Sequence, residues 1–392
     1  MAIKRFRFFD KRHGWKLQDM SFSQLNLLVG KSGAGKTRIL NALESVREAG
    51  LKGAHKANGC QWEMEIQFEN QKFLWKAETS LITEIPISRF SDKDNDEIED
   101  RSNEKSRFLS ESIIRDDNAD LVARDGEGFR FNLEPLPKLK SAESAISLLG
   151  DEKDIAPLNK ALRHMIFSRA RGLAIYSYDI YDFKDIRKRY HNLKSLKEAR
   201  NIPPLVKGFI LQEEYRDEFE KVKNDYMEIF DTVEDLKIGK LSELDPRTFE
   251  EAPNDTDWLV MGIKETGVDG WIVTPRISSG MFLTFHHLLE LLLSPPETVI
   301  LIDELENSLG VNCLPELTDR FLRRSQHLQL IATSHHPYVI QNIPSAQWGI
   351  VTRKGSEVAV IQGKDIPALD TRSGHDRFMR LLNLKEYEDG IQ

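Results

Sequence analysis

The stretch LLVGKSGAGKTRIL, residues 27–40, decides how the rest of the chain is read. An apolar run ends in a glycine-rich turn. Lys36 and Thr37 then open what the spacing predicts to be a helix to about Ala49, with Gly50 as its stop. Gly30-Lys31-Ser32-Gly33-Ala34-Gly35-Lys36-Thr37 fits G-x-x-x-x-G-K-[ST] at every defined position. Phosphate oxygens need several N–H donors converging on one point, and a turn bare of side chains at Gly33 and Gly35 can supply them. Lys36 adds a positive charge for β- and γ-phosphates, Thr37 offers a hydroxyl to Mg²⁺, and Arg38 is grouped with the loop as nucleotide-binding. The expected ligands are ATP and Mg²⁺.

A second element lies far downstream. Val299-Ile300-Leu301-Ile302 is a continuous apolar run that ends in Asp303 and Glu304. Such a run predicts a strand buried on both faces, and its C-terminal end is where ligands sit in open α/β sheets. Alone, it is equally any buried strand meeting an acidic turn. Paired with residues 30–37 it assigns Asp303 to Mg²⁺ and Glu304 to polarising a water for attack on the γ-phosphate. Two further elements keep the same order along the chain. Ile277-Ser278-Ser279-Gly280 leads into a helix, where serine hydroxyls and free N–H groups face an anion or simply cap the helix. Ala332-Thr333-Ser334-His335-His336-Pro337 ends the strand after Asp303 and puts His335 where it can contact a γ-phosphate.

The wider composition agrees with a soluble globular chain. It has 392 residues, 40% hydrophobic and 30% charged, with a net charge of -8, which excludes a wholly basic polyanion binder. Cys60 and Cys313 supply neither a disulfide framework nor a zinc set and are read as buried thiols. The N-terminus lacks the apolar core of a signal peptide, and no apolar run is long enough to cross a membrane, so a cytoplasmic protein without a membrane partner is expected.

Local patterns predict an edge strand over 3–9, a buried strand over 24–29 and a hairpin formed by 62–68 and 72–78. Polar residues 91–105 read as a mobile loop. Short strands are expected near 111–115 and 120–124, a helical stretch over 141–170, a strand over 173–180, and polar helices over 184–237 interrupted at Pro203-Pro204. A second hairpin spans Gly267 to Gly270, and a helix near 312–324 leads into a strand over 328–336. The basic residues of 184–200, with Tyr176, Tyr178, Tyr181, Phe183 and Tyr190 alongside, either meet nucleic-acid phosphates or form a solvated helix face.

In this order the four motifs resemble the ABC-type ATPase heads of the SMC and RecF group. Within it, LNLLVGKSGAGKTRILNAL, ISSGMFLTFHHLLEL, VILIDELENSLG and IATSHHPYVIQNIP are similar to the AAA-type ATPase part of OLD-family proteins. The resemblance implies an α/β ABC-type P-loop NTPase head, a mixed sheet flanked by helices with an antiparallel β subdomain and a helical insertion. Its divisions are 1–140, holding Walker A and the β subdomain; 141–257, the mainly helical insertion; and 258–392, holding the signature, Walker B and switch histidine. It implies Walker A at Gly30, Gly35, Lys36 and Thr37, the signature at Ser278, Ser279 and Gly280, Walker B at Asp303 and Glu304, and the switch at His335, with Glu304, Lys36 and His335 catalytic. It also implies a homodimer or higher homo-oligomer in which ATP on Lys36 of one head is covered by Ser279 and Gly280 of another. Ser308-Leu309-Gly310 stands where the family often has Leu-His-Pro, and no Q-loop glutamine is evident. OLD-type nucleases continue into a Toprim domain. With too little chain after His335 for one, the expected role is the sensor ATPase of an antiviral system beside a separately encoded Toprim or HNH nuclease. The alternative is a RecF-like DNA maintenance ATPase, with a transporter head as a weaker third.

Overall fold

The computed structural model describes residues 1–82, 106–116, 120–137, 140–168, 176–178, 181–199, 202–250, 257–307, 313–324, 327–388 and 390–391. The loop expected over 91–105 lies outside them.

Among the described residues, fourteen strands form one sheet. At one end, five parallel strands lie in the order Met165–Ser168, Val299–Ile302, Gln329–Thr333, Leu25–Val29 and Trp348–Lys354. The sheet continues through Glu357–Gln362 and Trp15–Ser21 into an antiparallel arm of Ala2–Asp10, Cys60–Phe68, Gln71–Thr79, Phe108–Arg115 and shorter strands. A smaller sheet joins Val233–Lys240, Trp258–Glu265, Ile272–Val273 and Tyr176–Ser177.

The central strands Leu25–Val29, Val299–Ile302 and Gln329–Thr333 are buried along their whole length, and their residues are apolar apart from Asn26, Gln329 and Thr333. Their two-residue period sorts those side chains into two cores. Leu25, Leu27, Val29, Ile300 and Ile302 pack with Phe282, Phe285 and Leu289 of the helix Ser279–Leu293. Leu28, Val299, Leu301 and Ile331 pack with Ile39, Leu43 and Val46 of the helix Lys36–Lys52. The two helices that follow the glycine-rich loop and the Ser-Ser-Gly turn therefore cover opposite faces of one sheet. The insertion helices Pro204–Glu214 and Arg216–Ile229 pack on Ser279–Leu293, with the Tyr226 ring 5.8 Å from Phe285.

Four expectations change. The helical run expected over 184–237 ends at Ile229, and Val233–Lys240 is a strand paired with Trp258–Glu265. The strand Ala2–Asp10 is interior to the sheet, paired on both sides, because Trp15–Ser21 folds back on it. The helix from Lys36 runs past Gly50 to Lys52, capped by Gly53. Gly50 is a packing glycine: a Cβ there would stand 2.5 Å from Leu162 Cδ1 and 3.0 Å from Trp75. The stretch 141–170 holds only the short helices Ala145–Leu148 and Ala156–Arg163 before its strand, Met165–Ser168, joins the sheet edge parallel to Val299–Ile302. That strand is four residues long, too short for its period to register. The hairpins and the helix Leu314–Arg324 fall as expected. Of 173–180, the described Tyr176–Ser177 is a strand. Cys60 and Cys313 are both buried and neither is in a disulfide, and burial pushes the Cys60 thiol up to about 12.

Candidate active site

Parallel pairing puts the C-terminal ends of Leu25–Val29, Gln329–Thr333 and Val299–Ile302 on one edge, in that order. Gly30, Ser334 and Asp303 leave those ends side by side. The loop 30–35 turns where L side chains are disfavoured: φ is +154° at Gly30, +83° at Gly33 and +108° at Gly35. At Gly30 a Cβ would also lie 2.6 Å from the Val351 carbonyl oxygen, so the neighbouring strand leaves no room for a side chain.

Lys36 is 5% exposed and donates from Nζ to the carbonyls of Gly30 at 2.8 Å and Lys31 at 3.0 Å. Burial lowers its pKa from 10.5 to about 8, against the opposing pull of Asp303, Glu304 and Glu306. The Thr37 hydroxyl donates to Asp303 Oδ1 at 3.0 Å. Thr333 donates to the same oxygen at 2.7 Å, and its own hydroxyl accepts from the Glu304 N–H at 2.7 Å. Glu304 stands at φ +50°, a left-handed backbone held by that bond as the chain turns out of its strand. Glu306 Oε1 accepts from the His335 N–H at 2.6 Å. The His335 ring is exposed, and its pKa is lowered by desolvation and then by the Lys36 charge, with the three carboxylates pulling the other way. His336 caps the helix Pro337–Asn342, its Nδ1 accepting from Tyr338 N.

Lys36, Thr37, Asp303, Glu304 and His335 are thus brought to one sheet edge from segments up to 300 residues apart. Ser32 and Gly33 are exposed there, and Ala34 is buried. Arg38 turns toward Asp10, 3.3 Å away, and lies over the Trp15 ring at 4.8 Å. Ser278 and Ser279 are exposed and Gly280 is buried at the start of Ser279–Leu293, with the Ser278 hydroxyl capping the helix through Met281 N. Among the described residues, no hydrogen bond joins this turn to the loop 30–37.

Several participants carry no motif of their own. Thr333 and Glu306 each lie within three residues of a motif residue, and that proximity is their only signal in the sequence. The C-terminal segment also reaches the loop. Lys31 Nζ donates to the Glu388 carbonyl, Arg353 donates to the Gly33 carbonyl at 3.1 Å, and the Arg353 N–H donates to Gly390 at 2.8 Å. In the basic stretch, Arg187 pairs with Glu214 at 2.6 Å and Arg189 with Asp185 at 2.8 Å, while Lys184, Lys188 and Lys194 are exposed. Arg200 and Ser308-Leu309-Gly310 lie outside the described residues. No helix among the described residues is long and apolar enough to cross a membrane.

A family described as "AAA domain, putative AbiEii toxin, Type IV TA system" matches residues 25–341. No curated protein matches the chain. Among solved structures, it is similar to an Smc head bound to the C-winged helix domain of ScpA, at 12% identity and a TM-score of 0.47, over 92% of this chain and 98% of that one. It is also similar to the SMC head domain from Thermotoga maritima, at 11% identity and a TM-score of 0.44, over 92% and 99%. A third is the Pyrococcus furiosus Smc head with an extended coiled coil bound to the C-terminal domain of ScpA, at 13% identity and a TM-score of 0.41, over 92% and 96%.

Proposed function

The chain belongs to this AAA family, and from that premise we propose that it binds and hydrolyses ATP as one head of a pair. The observation that carries the reading is the bond from Thr37 to Asp303. It joins a hydroxyl beside a phosphate-type loop to a carboxylate that follows a buried parallel strand. The oxygen donors of Thr37 and Asp303 suit a hard cation such as Mg²⁺, which would shield the phosphate charge at that point. Lys36, now satisfied by its own loop's carbonyls, exchanges them for β- and γ-phosphate oxygens. Glu304 accepts a proton from the attacking water as the water's oxygen bonds to the γ-phosphorus and the bond from that phosphorus to the β,γ-bridging oxygen breaks, releasing ADP and phosphate. His335 lies over the same edge and senses the γ-phosphate.

A single head lacks its cover. Ser279 and Gly280 begin a helix on the face opposite the helix Lys36–Lys52, with exposed Ser278 and Ser279 at its positive end. A second copy, placed head to tail, brings that end to the first copy's triphosphate. ATP then acts as the adhesive between heads, and hydrolysis releases them. The test is ATPase activity across protein concentrations. Turnover per chain should rise with concentration in the wild type and vanish in Ser279→Arg, while one-site ATP binding persists. Concentration-independent turnover that survives Ser279→Arg overturns the paired-head reading.

The family description names a toxin of a toxin–antitoxin system. The description names no nuclease; the proposed control of a separately encoded nuclease, over a role in DNA maintenance, rests on the resemblance of the four motifs to OLD-family ATPases. Co-purification with the neighbouring gene product, with and without ATP, followed by a nuclease assay, decides it. An ATP-dependent complex that cuts nucleic acid is expected; a neighbour that neither binds nor cuts sinks the proposal.

A further inference from the structure

The helix Ser279–Leu293 is strongly apolar, yet it carries His286, His287 and Glu290 in its middle. None of them belongs to the nucleotide site. At about 100° per residue, the three fan over about 100° of the helix surface, with Glu290 between the two histidines. One ring nitrogen of each histidine and one carboxylate oxygen of Glu290 lie within 4.8 Å of one another. His287 is 6% exposed and Glu290 8% exposed. Nδ1 of His286 and Nδ1 of His287 are both buried without a hydrogen-bond partner. Buried polar atoms are normally paired, and two orphaned imidazole nitrogens beside one carboxylate call for a cation.

The surroundings leave room for one. His286 and Glu290 line a cavity of about 400 Å³ at the open edge of the large sheet. Its other walls include Met165 and Phe167 of the edge strand and Glu44 and Arg47 of the helix Lys36–Lys52. The cavity therefore lies where the helix layers from the two faces of the sheet meet around its edge.

We infer that His286, His287 and Glu290 bind one zinc ion, with a fourth coordination position open to this cavity. Two imidazoles and one carboxylate suit a borderline-soft divalent ion better than Mg²⁺ or Ca²⁺, which favour oxygen alone. Such a site requires bonds of roughly 2 Å, so the three donors would close in on the ion from their present spacing. All three come from the helix Ser279–Leu293, which Ser278 caps, so the bound ion would sit on the element that presents the Ser-Ser-Gly turn. The cavity it would open onto is also walled by Glu44 and Arg47 of the helix that carries Lys36.

The full-length protein, stripped with chelator, is titrated with Co²⁺ and then Zn²⁺. One equivalent of Co²⁺ per chain should bind with the intense visible absorption of a tetrahedral site and be displaced by Zn²⁺. The double variant His286→Ala, Glu290→Gln should lose at least tenfold in affinity, whereas Asp303→Asn keeps the site. Unchanged affinity in the double variant, or no tight equivalent in the wild type, overturns the assignment. If the double variant does not fold, X-ray absorption on the zinc-loaded wild type decides. Two imidazole ligands uphold the site, and fewer than two overturn it.

Discussion

The Thr333 hydroxyl donates to Asp303 Oδ1 at 2.7 Å while accepting from the N–H of Glu304 at 2.7 Å. One buried side chain on the neighbouring strand thus fixes both acidic residues at the edge of Val299–Ile302. Its position follows from the parallel register, which sets Ala332 against Ile302.

Thr333→Val keeps the shape and removes both bonds. A residue that orients a ligating carboxylate typically costs roughly 10–100-fold in activity when lost. We expect a kcat drop in that range with ATP affinity changed little. The Glu304 N–H, left without its partner, should lower stability by about 1–3 kcal/mol. Steady-state kinetics and urea unfolding on the same variant check both, and wild-type kcat refutes the bridge.

Lys36→Ala and Glu304→Gln should separate binding from chemistry. The first removes the cation that meets the phosphates, and each lost charge-assisted bond is worth about 1.5–3 kcal/mol, so ATP affinity should fall at least tenfold. The second leaves the phosphate contacts intact and should lower kcat by roughly 10²–10⁴ while holding ATP and the paired state. Equal nucleotide affinities in the two variants, measured by calorimetry with Mg²⁺, contradict the roles assigned.

Lys36 also predicts a pH profile. Its folded pKa is about 8 and its ordinary value 10.5. Below about pH 8 the free protein carries the cation and ATP affinity should be flat. Above it the cation is lost, and affinity should fall by up to about tenfold per pH unit. The stability sign is opposite. Between pH 8 and 10.5 the unfolded chain holds a proton that the folded chain has released, so this group's contribution makes the fold more stable as pH rises. Binding isotherms from pH 7 to 9.5 test the first statement, with Lys36→Met as the reference that should lack the step.

Gly30→Ala tests the loop's backbone. The new Cβ would approach the Val351 carbonyl oxygen at 2.6 Å from a φ of +154°. Backbone cannot swing aside as a flexible side chain does, so loop or strand must shift. We expect about 1–3 kcal/mol of destabilisation and weaker ATP binding. Unaltered melting and affinity show that the loop accepts a side chain there.

Much of this molecule is legible from short patterns. The loop 30–37 announces itself because phosphate-type backbone geometry demands glycine at φ values forbidden to other residues, and Gly33 and Gly35 adopt them. VILI in VILIDE and LIA in QLIAT announce themselves because the interior of a strand buried on both faces favours an unbroken apolar run. By contrast, Met165–Ser168 is too short to show a period, and Gly50 reads as a helix stop although Leu162 and Trp75 are what require it.

The order of motifs along the chain determined which residues could serve a triphosphate, since each motif is a local answer to a local demand of backbone or burial. Tertiary structure decided which of them meet. Thr37 touches Asp303 across 266 positions, Arg353 touches Gly33 across 320, and the Ser278–Gly280 turn begins a helix on the opposite face from the helix that carries Lys36. Those juxtapositions depend on strand order and on which face each helix covers. Such choices are made by packing among distant segments, and no periodicity within one segment encodes them.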